Sequence, residues 1–173
     1  DLDTLAVSGS QITLTLDTHN IQNNDEISVA YTKNVGNPVA DAASNALESF
    51  TIDAVSINQD TSIPSATFAA NAGENTIQVS LSETVSGTPL AGNFAVTLNG
   101  NSVSVDSLDF TSPGDAMTLT LASYIKNTDA LQVAYVQPSA SENQIVDAAG
   151  NALETIAAAT LTQVQDDTAP TVK

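Results

Sequence analysis

The sequence contains no cysteine and no tryptophan, and only three of its 173 residues are lysine or arginine. The absence of cysteine excludes disulfides, zinc–thiolate sites and thiol nucleophiles. Aromatic residues make up 4% of the chain, so the core has to be built from aliphatic side chains and alanine. No apolar run reaches membrane-spanning length, and no signal-like segment follows Asp1. Any targeting sequence is therefore expected to have been removed or to lie outside these residues.

The charges of the chain are almost all negative. Twenty acidic residues against three basic ones give a formal net charge of −17. A field of this sign repels nucleic acid and anionic membrane surfaces, so neither is expected as a partner. It attracts cations, and bound divalent cations would offset the self-repulsion that destabilises a compact acidic fold. Strong acidity without cysteine suggests a secreted bacterial protein that relies on metal ions instead of disulfides.

An internal repeat with a period of about 104 to 106 residues is the strongest pattern in the chain. Val29-Ala-Tyr31 recurs as Val133-Ala-Tyr135. Residues 41–48 recur as residues 147–154, with the shared pattern Asp-Ala-Ala-x-Asn-Ala-Leu-Glu. A period of this length is the size of a whole small domain, so the repeat predicts tandem modules of about 100 residues.

Alternation of apolar and polar residues dominates each module. Ile12-Thr-Leu14-Thr-Leu16 and Met117-Thr-Leu119-Thr-Leu121 are examples, and this period of two is typical of half-buried antiparallel strands. The pattern predicts no convincing helix. It predicts seven strands in the complete repeat, near residues 64–70, 75–83, 93–98, 102–110, 115–122, 130–137 and 155–163. The expected fold is all-β: tandem immunoglobulin-like antiparallel β-sandwiches, with the first one incomplete.

The register of the repeat predicts three segments of unequal completeness. Residues 1–59 align with the later part of the repeat, so this first sandwich is expected to lack about three strands. Residues 60–165 form the complete repeat, and residues 166–173 a linker with the first strand of a following repeat or a donor strand. Two explanations stay open: the chain is a fragment of a longer array, or a neighbouring subunit completes the first sandwich by strand exchange.

These repeated segments carry a family resemblance. Residues 135–156, their counterpart 31–50 and the linker Asp166-Asp-Thr-Ala-Pro-Thr resemble the repeats of SwmB-type cyanobacterial cell-surface proteins. They are also similar to the bacterial Ig-like (BIg, cadherin-like) repeats of RTX-type adhesins. The resemblance implies β-sandwich modules of a long extracellular protein, often rigidified by calcium at the module junctions.

Calcium is therefore expected at the junctions, because this ion prefers carboxylate, amide and carbonyl oxygens. The candidate ligands lie in the repeated turn and in the linkers: Asp147, Asn151, Asp166, Asp167, Asp60 and Asp41. Two groupings stay open, the turn with the linker that follows it or the turn with the preceding linker around Asp60. The alternative without metal is that these residues only bond local backbone in tight turns.

No pattern of catalytic residues is present in the sequence. The single histidine, His19, lies in a polar loop, and the pair Asp106 and Asp109 has no accompanying arginine or aromatic platform. There is no Gly-x-Ser-x-Gly motif and no phosphate-binding glycine loop. We therefore predict a non-enzymatic protein, extracellular or at the cell surface, that forms a fibre, stalk or layer from neighbouring repeats or identical subunits. The alternative is an adhesin module that binds polysaccharide or another ligand, for which only Tyr124 offers an exposed ring.

We predict that calcium raises the melting temperature of the chain and that EDTA lowers it, because a junction ion would bind only the folded state. Differential scanning calorimetry measures the shift, and magnesium at the same ionic strength controls for general screening of the acidic surface. An unchanged melting temperature would contradict the expected metal role.

Overall fold

The computed structural model describes residues 2–169 and 171, and the chain divides into two compact units, residues 1–60 (unit 1) and 61–173 (unit 2). All sheets formed by the described residues are antiparallel. Over the same residues there is no α-helix, and only two single turns of 3-10 helix, Ala91–Asn93 and Ser141–Asn143. The predicted all-β fold is confirmed.

Unit 2 is a sandwich of two four-stranded sheets. Its strands are β5 (Ala66–Ala70), β6 (Thr76–Val85), β7 (Phe94–Leu98), β8 (Asn101–Val103), β9 (Val105–Phe110), β10 (Gly114–Leu121), β11 (Leu131–Tyr135) and β12 (Ile156–Leu161). One sheet has the order β5-β6-β10-β9, and the other has the order β12-β11-β7-β8. This is the ABED and GFC order of immunoglobulin-type sandwiches, with β8 added beside β7.

The prediction of seven strands in the complete repeat was wrong by one. The segment 102–110, expected to be a single strand, is divided at Ser104 into β8 and β9. β8 pairs with β7 in one sheet, whereas β9 pairs with β10 in the other, so the chain crosses between sheets within one residue. The alternation Val103-Ser-Val105 continues through this crossover, because both valines pack against the same core from opposite sheets. The alternation of apolar and polar residues therefore gives no sign that one strand ends and another begins at Ser104.

The core of unit 2 lies between the two sheets. Alternate residues of β6 and β10, such as Val79 and Leu119, face alternate residues of β7 and β11, such as Val96 and Val133, and all of these are buried. The aromatic contribution is small, and Phe94 and Tyr135 contact each other with ring centroids 5.2 Å apart. Each buried aliphatic side chain contributes about 1.5–3 kcal/mol, and such side chains make up most of the core, as the composition predicts.

Unit 1 contains two separate two-stranded sheets, and none of its described residues is buried. Its strands are β1 (Leu2–Ser8), β2 (Gln11–Leu16), β3 (Val29–Tyr31) and β4 (Phe50–Ile52). β1 and β2 repeat the register of β9 and β10, since Leu5 pairs with Leu14 as Leu108 pairs with Leu119. β3 and β4 likewise correspond to β11 and β12.

The first sandwich is therefore incomplete, as predicted, but the expected number of missing strands was wrong. Within the described part of unit 1, no strand corresponds to β5, β6, β7 or β8, so four strands are missing where about three were expected. The difference has the same cause as the error in the strand count of unit 2: the segment 102–110, expected to be one strand, is the two strands β8 and β9. The first strand predicted for residues 166–173 falls partly on residues 170, 172 and 173, which lie outside the described residues.

Candidate functional site

The repeated turn at residues 147–151 is closed by the side chain of Asp147. One carboxylate oxygen, Oδ1, accepts hydrogen bonds from the backbone N–H groups of Ala149 and Asn151, both at 2.8 Å. The other, Oδ2, accepts one from Asn151 Nδ2 at 2.8 Å. Gly150, with φ +89°, provides the left-handed residue that the turn requires. Although Asp147 is buried, its carboxylate is therefore satisfied by its own turn.

Unit 1 repeats the hydrogen bonds formed within this turn. Asp41 accepts hydrogen bonds from the N–H groups of Ala43 and Asn45 at 2.9 and 2.8 Å, and from Asn45 Nδ2 at 2.9 Å. Ser44 stands at the position of Gly150 and adopts φ +66°. The hydrogen bonds from the Asn45 side chain and backbone lower the pKa of Asp41. The pattern Asp-x-x-x-Asn is thus a hydrogen-bonded turn that folds in the same way with glycine or serine.

The turn of unit 2 also contacts the chain that enters this unit. Asn151 Nδ2 donates a second hydrogen bond, 3.0 Å long, to the carbonyl oxygen of Ser62, four residues before β5. The linker that follows lies beyond the far end of β12, a strand about 20 Å long. Within unit 2, the turn residues Asp147 and Asn151 therefore lie beside the preceding linker, and Asp166 and Asp167 lie at the other end of the strand.

A second recurring contact holds the chain that leaves each unit. In unit 2, Asn127 Nδ2 donates to the carbonyl oxygen of Asp166 at 2.7 Å, and the N–H of Asp166 donates back to Asn127 Oδ1 at 2.9 Å. In unit 1, Asn23 and Asp60 form the same pair of bonds, at 2.6 and 2.9 Å. We call this two-point contact the linker clamp. It engages both backbone polar groups of one linker residue.

The loop that carries each clamp is itself stabilised by an aspartate. Asp129 accepts hydrogen bonds from the N–H of Lys126 at 2.9 Å and from Asn99 Nδ2 at 2.7 Å, which lower its pKa. Asp25 accepts the corresponding bond from the N–H of Gln22 at 2.9 Å, and this bond is the main cause of its lowered pKa. His19 Nε2 lies 2.7 Å from the same carboxylate. In each unit the aspartate therefore holds the loop in the conformation in which the clamp asparagine reaches the linker.

Sequence reasoning missed the clamp, because it treated the loop of unit 1 only as the polar loop that contains His19. The available signal was that Asn23 and Asp25 recur as Asn127 and Asp129, and that apart from Ile21, which recurs as Ile125, the other residues of the loop differ. Two polar residues preserved in a loop whose other polar positions differ indicate a shared structural task.

The match to a protein family lies almost entirely within unit 2. Residues 60–140 match the SWM repeat family. Its description is "Putative flagellar system-associated repeat", and the match covers somewhat under half of the chain. It supports a resemblance to bacterial surface repeats in general and does not single out SwmB-type or BIg repeats. A comparison with curated proteins gives no significant match.

Two solved structures of the bacterial S-layer protein SbsC are also similar to the chain. The N-terminal part of SbsC aligns with 64% of this chain at 19% identity and a TM-score of 0.49. A longer SbsC structure aligns with 64% of it at 20% identity and a TM-score of 0.48. The aligned region spans only 25% and 14% of those two SbsC chains.

The calcium prediction stays a prediction. Asp41 and Asp147 have their carboxylates engaged by N–H donors, which favours the alternative of hydrogen-bonded turns at these two positions. Asp166 Oδ1 accepts the N–H of Thr168 at 2.9 Å, and Asp167 is exposed. Among the residues that the structure describes, no three histidine, cysteine or acidic side chains are grouped so that they could hold a metal ion.

The residues considered for catalysis or ligand binding are dispersed. Asp106 and Asp109 are exposed on β9, and His19 is exposed in unit 1. Tyr124 is 67% exposed in the loop before β11 and offers a single ring. The described part of the chain has no helix with the length and apolar character needed to cross a membrane.

We predict that Asp147→Ala lowers the free energy of unfolding of unit 2 by about 2–3 kcal/mol, because it leaves three N–H donors without their acceptor at a buried position. Chemical denaturation, with hydrogen exchange of the core-strand amides as the readout, measures this loss of free energy of unfolding. Asp115→Ala is the matched control, since it removes the same charge from an exposed position of β10. Equal effects of the two variants would show that the charge, and not the turn, is responsible.

Proposed function

We propose that the chain is a non-enzymatic structural part of a bacterial cell-surface protein. In this proposal, tandem immunoglobulin-like repeats join end to end into a fibre, stalk or surface layer. Three observations support it: the internal repeat of a whole module, the strand order of unit 2, and the similarity of residues 60–140 to a flagellar system-associated repeat family. The partners are neighbouring repeats or identical subunits.

The single observation that carries the proposal is the linker clamp, because both units contain it. Asn23 and Asn127 each hold the N–H and the C=O of one residue just where the chain leaves the unit. A residue held at both backbone groups loses most of its φ/ψ freedom, and the chain then leaves the module in one direction. Such control of direction serves a protein whose task is to set the spacing and orientation of modules.

The surface chemistry of the chain also favours a passive role. Some of its carboxylates lie at exposed strand positions, and others are acceptors in turns, as in Asp41, Asp129 and Asp147. A net charge of −17 keeps such a chain soluble and limits non-specific association. Calcium stiffening of the junctions is a further part of the proposal. Asp167 is one of the candidate ligands that are exposed.

We predict that the protein is accessible from outside intact cells. Because the sequence has no cysteine, a single Ser102→Cys at an exposed position gives one unique thiol. A membrane-impermeant maleimide should label this variant on intact cells to the same extent as after lysis. The unsubstituted protein, which has no thiol, is the control for background. Labelling that occurs only after lysis would contradict a surface location.

We also predict that the clamp fixes the direction of the linker within unit 2. Spin labels at Ser102→Cys and Asp167→Cys should give a narrow distance distribution by double electron–electron resonance. Asn127→Ala should broaden it, because Asp166 loses both hydrogen bonds. Thr128→Ala, at an exposed position of the same loop, is the matched control and should leave it narrow. An unchanged distribution in Asn127→Ala would remove the main support for the proposed function.

A further inference from the structure

The apolar face of unit 1 is exposed, whereas the same face of unit 2 is buried. Leu14 is 40% exposed and Ile21 is 48% exposed. Their counterparts Leu119 and Ile125 are both fully buried, at 0%. The residue types and the alternation are the same in the two units, so unit 1 presents half of a sandwich interface.

Both sheets of unit 1 also have an open edge. β2 pairs only with β1 and β3 only with β4 among the described residues, whereas their counterparts β10 and β11 each pair with one strand more. In unit 2 those additional strands are β6 and β7. The open edges of β2 and β3 therefore present unpaired backbone N–H and C=O groups at the two places where β6 and β7 would bind.

A groove in unit 1 marks the position of the end of such a β6 strand. It lies between the β1–β2 turn and residues 39–47, and its lining includes Val7, Ile12 and Leu47. In unit 2 the last residue of β6 is the buried Val85, and the next residue, Ser86, pairs with Val146, the counterpart of Ala40 in this groove.

The backbone groups at this groove also match the end of a β6-type strand. In unit 2, Ser86 and Val146 exchange two hydrogen bonds of 2.7 and 3.0 Å. Ala40 is the counterpart of Val146, and it forms the same bridge to Ala46 that Val146 forms to Ala152. No described residue takes the place of Ser86 beside Ala40. The groove therefore has the shape and the backbone groups that receive a β6-type strand end.

A second copy of the chain is a poor source for these strands. Its own β6 is buried in its own unit 2, where Ile77 is 0% and Val79 is 1% exposed. If that copy gave up β5–β8, one sandwich would open for each one that closed, and the apolar area removed from water would not increase. The occupant has to be a set of strands that is not already part of a sandwich.

We propose that unit 1 binds a four-stranded segment of the β5–β8 type that is not already part of another sandwich. In unit 2 this segment is joined to β9 through Ser104 alone, and such a short covalent connection gives the strands a high effective concentration. The segment must have a glycine at the position that corresponds to Gly87. In unit 2, Gly87 has φ +129°, and a Cβ at this residue would overlap the carbonyl oxygen of Gln144. The inference rests on the proposed repeat organisation.

The test is a chain in which a second copy of residues 61–103 is fused directly ahead of residue 1, which then takes the position of Ser104. Hydrogen exchange of the β2 and β3 amides should slow by roughly tenfold or more, towards the rates of β10 and β11. Binding of the dye ANS to the exposed apolar face should fall, and light scattering should show a monomer. The matched control carries Ile77→Asp and Val79→Asp in the added copy only, and it should leave the exchange of β2 and β3 unchanged.

The proposal is overturned if the fusion leaves the exchange of β2 and β3 unchanged, or if the control protects them equally. It is also overturned if the chain without the fusion forms a dimer in which these amides are already protected, because a second copy then covers the face. Surface labelling and the linker distances are measured independently of unit 1. A failed fusion with positive results in those two experiments would therefore reject this inference and leave the proposed function standing.

Discussion

Covering one aliphatic sheet face with another is the constraint on which the rest of this structure depends. With no tryptophan and few aromatic rings, the modules gain stability from many small contributions of valine, leucine and isoleucine, and these add up only when two sheets face each other. Unit 2 meets this condition, and Leu119 is fully buried in it. Unit 1 has apolar residues on the same alternation, yet Leu14 stays exposed because the facing strands are not among its own.

Hydrogen bonds from short polar side chains organise the ends of the modules, where the chain has no disulfides. Asp147 closes a turn that Asn151 connects to the entering chain, and Asn127 holds the leaving chain at Asp166. Each bond contributes about 0.5–1.5 kcal/mol, so their main effect is on geometry. The acidic composition is partly explained by this use, since carboxylates in the turns accept several N–H donors at once.

The secondary structure was largely predictable from the sequence, because half-buried strands alternate with a period of two. That same period failed at Ser104, where the chain changes sheets without changing its alternation. The turn residues were found from their repetition, and the calcium expectation attached to them stays a prediction. The clamp was missed because Asn127 has the appearance of an ordinary loop residue until the position of Asp166 is known.

The sequence by itself determined the length of the repeat, the all-β pattern, the acidic surface and the incompleteness of the first module. These follow from composition, from local periodicity and from the alignment of the two copies of the repeat. Only the tertiary structure decided which distant residues meet, such as Asn151 with Ser62, 89 positions apart, and Asn127 with Asp166, 39 positions apart. The physical reason is that such contacts depend on how two sheets pack and where their strands end, and no local pattern of residues encodes this.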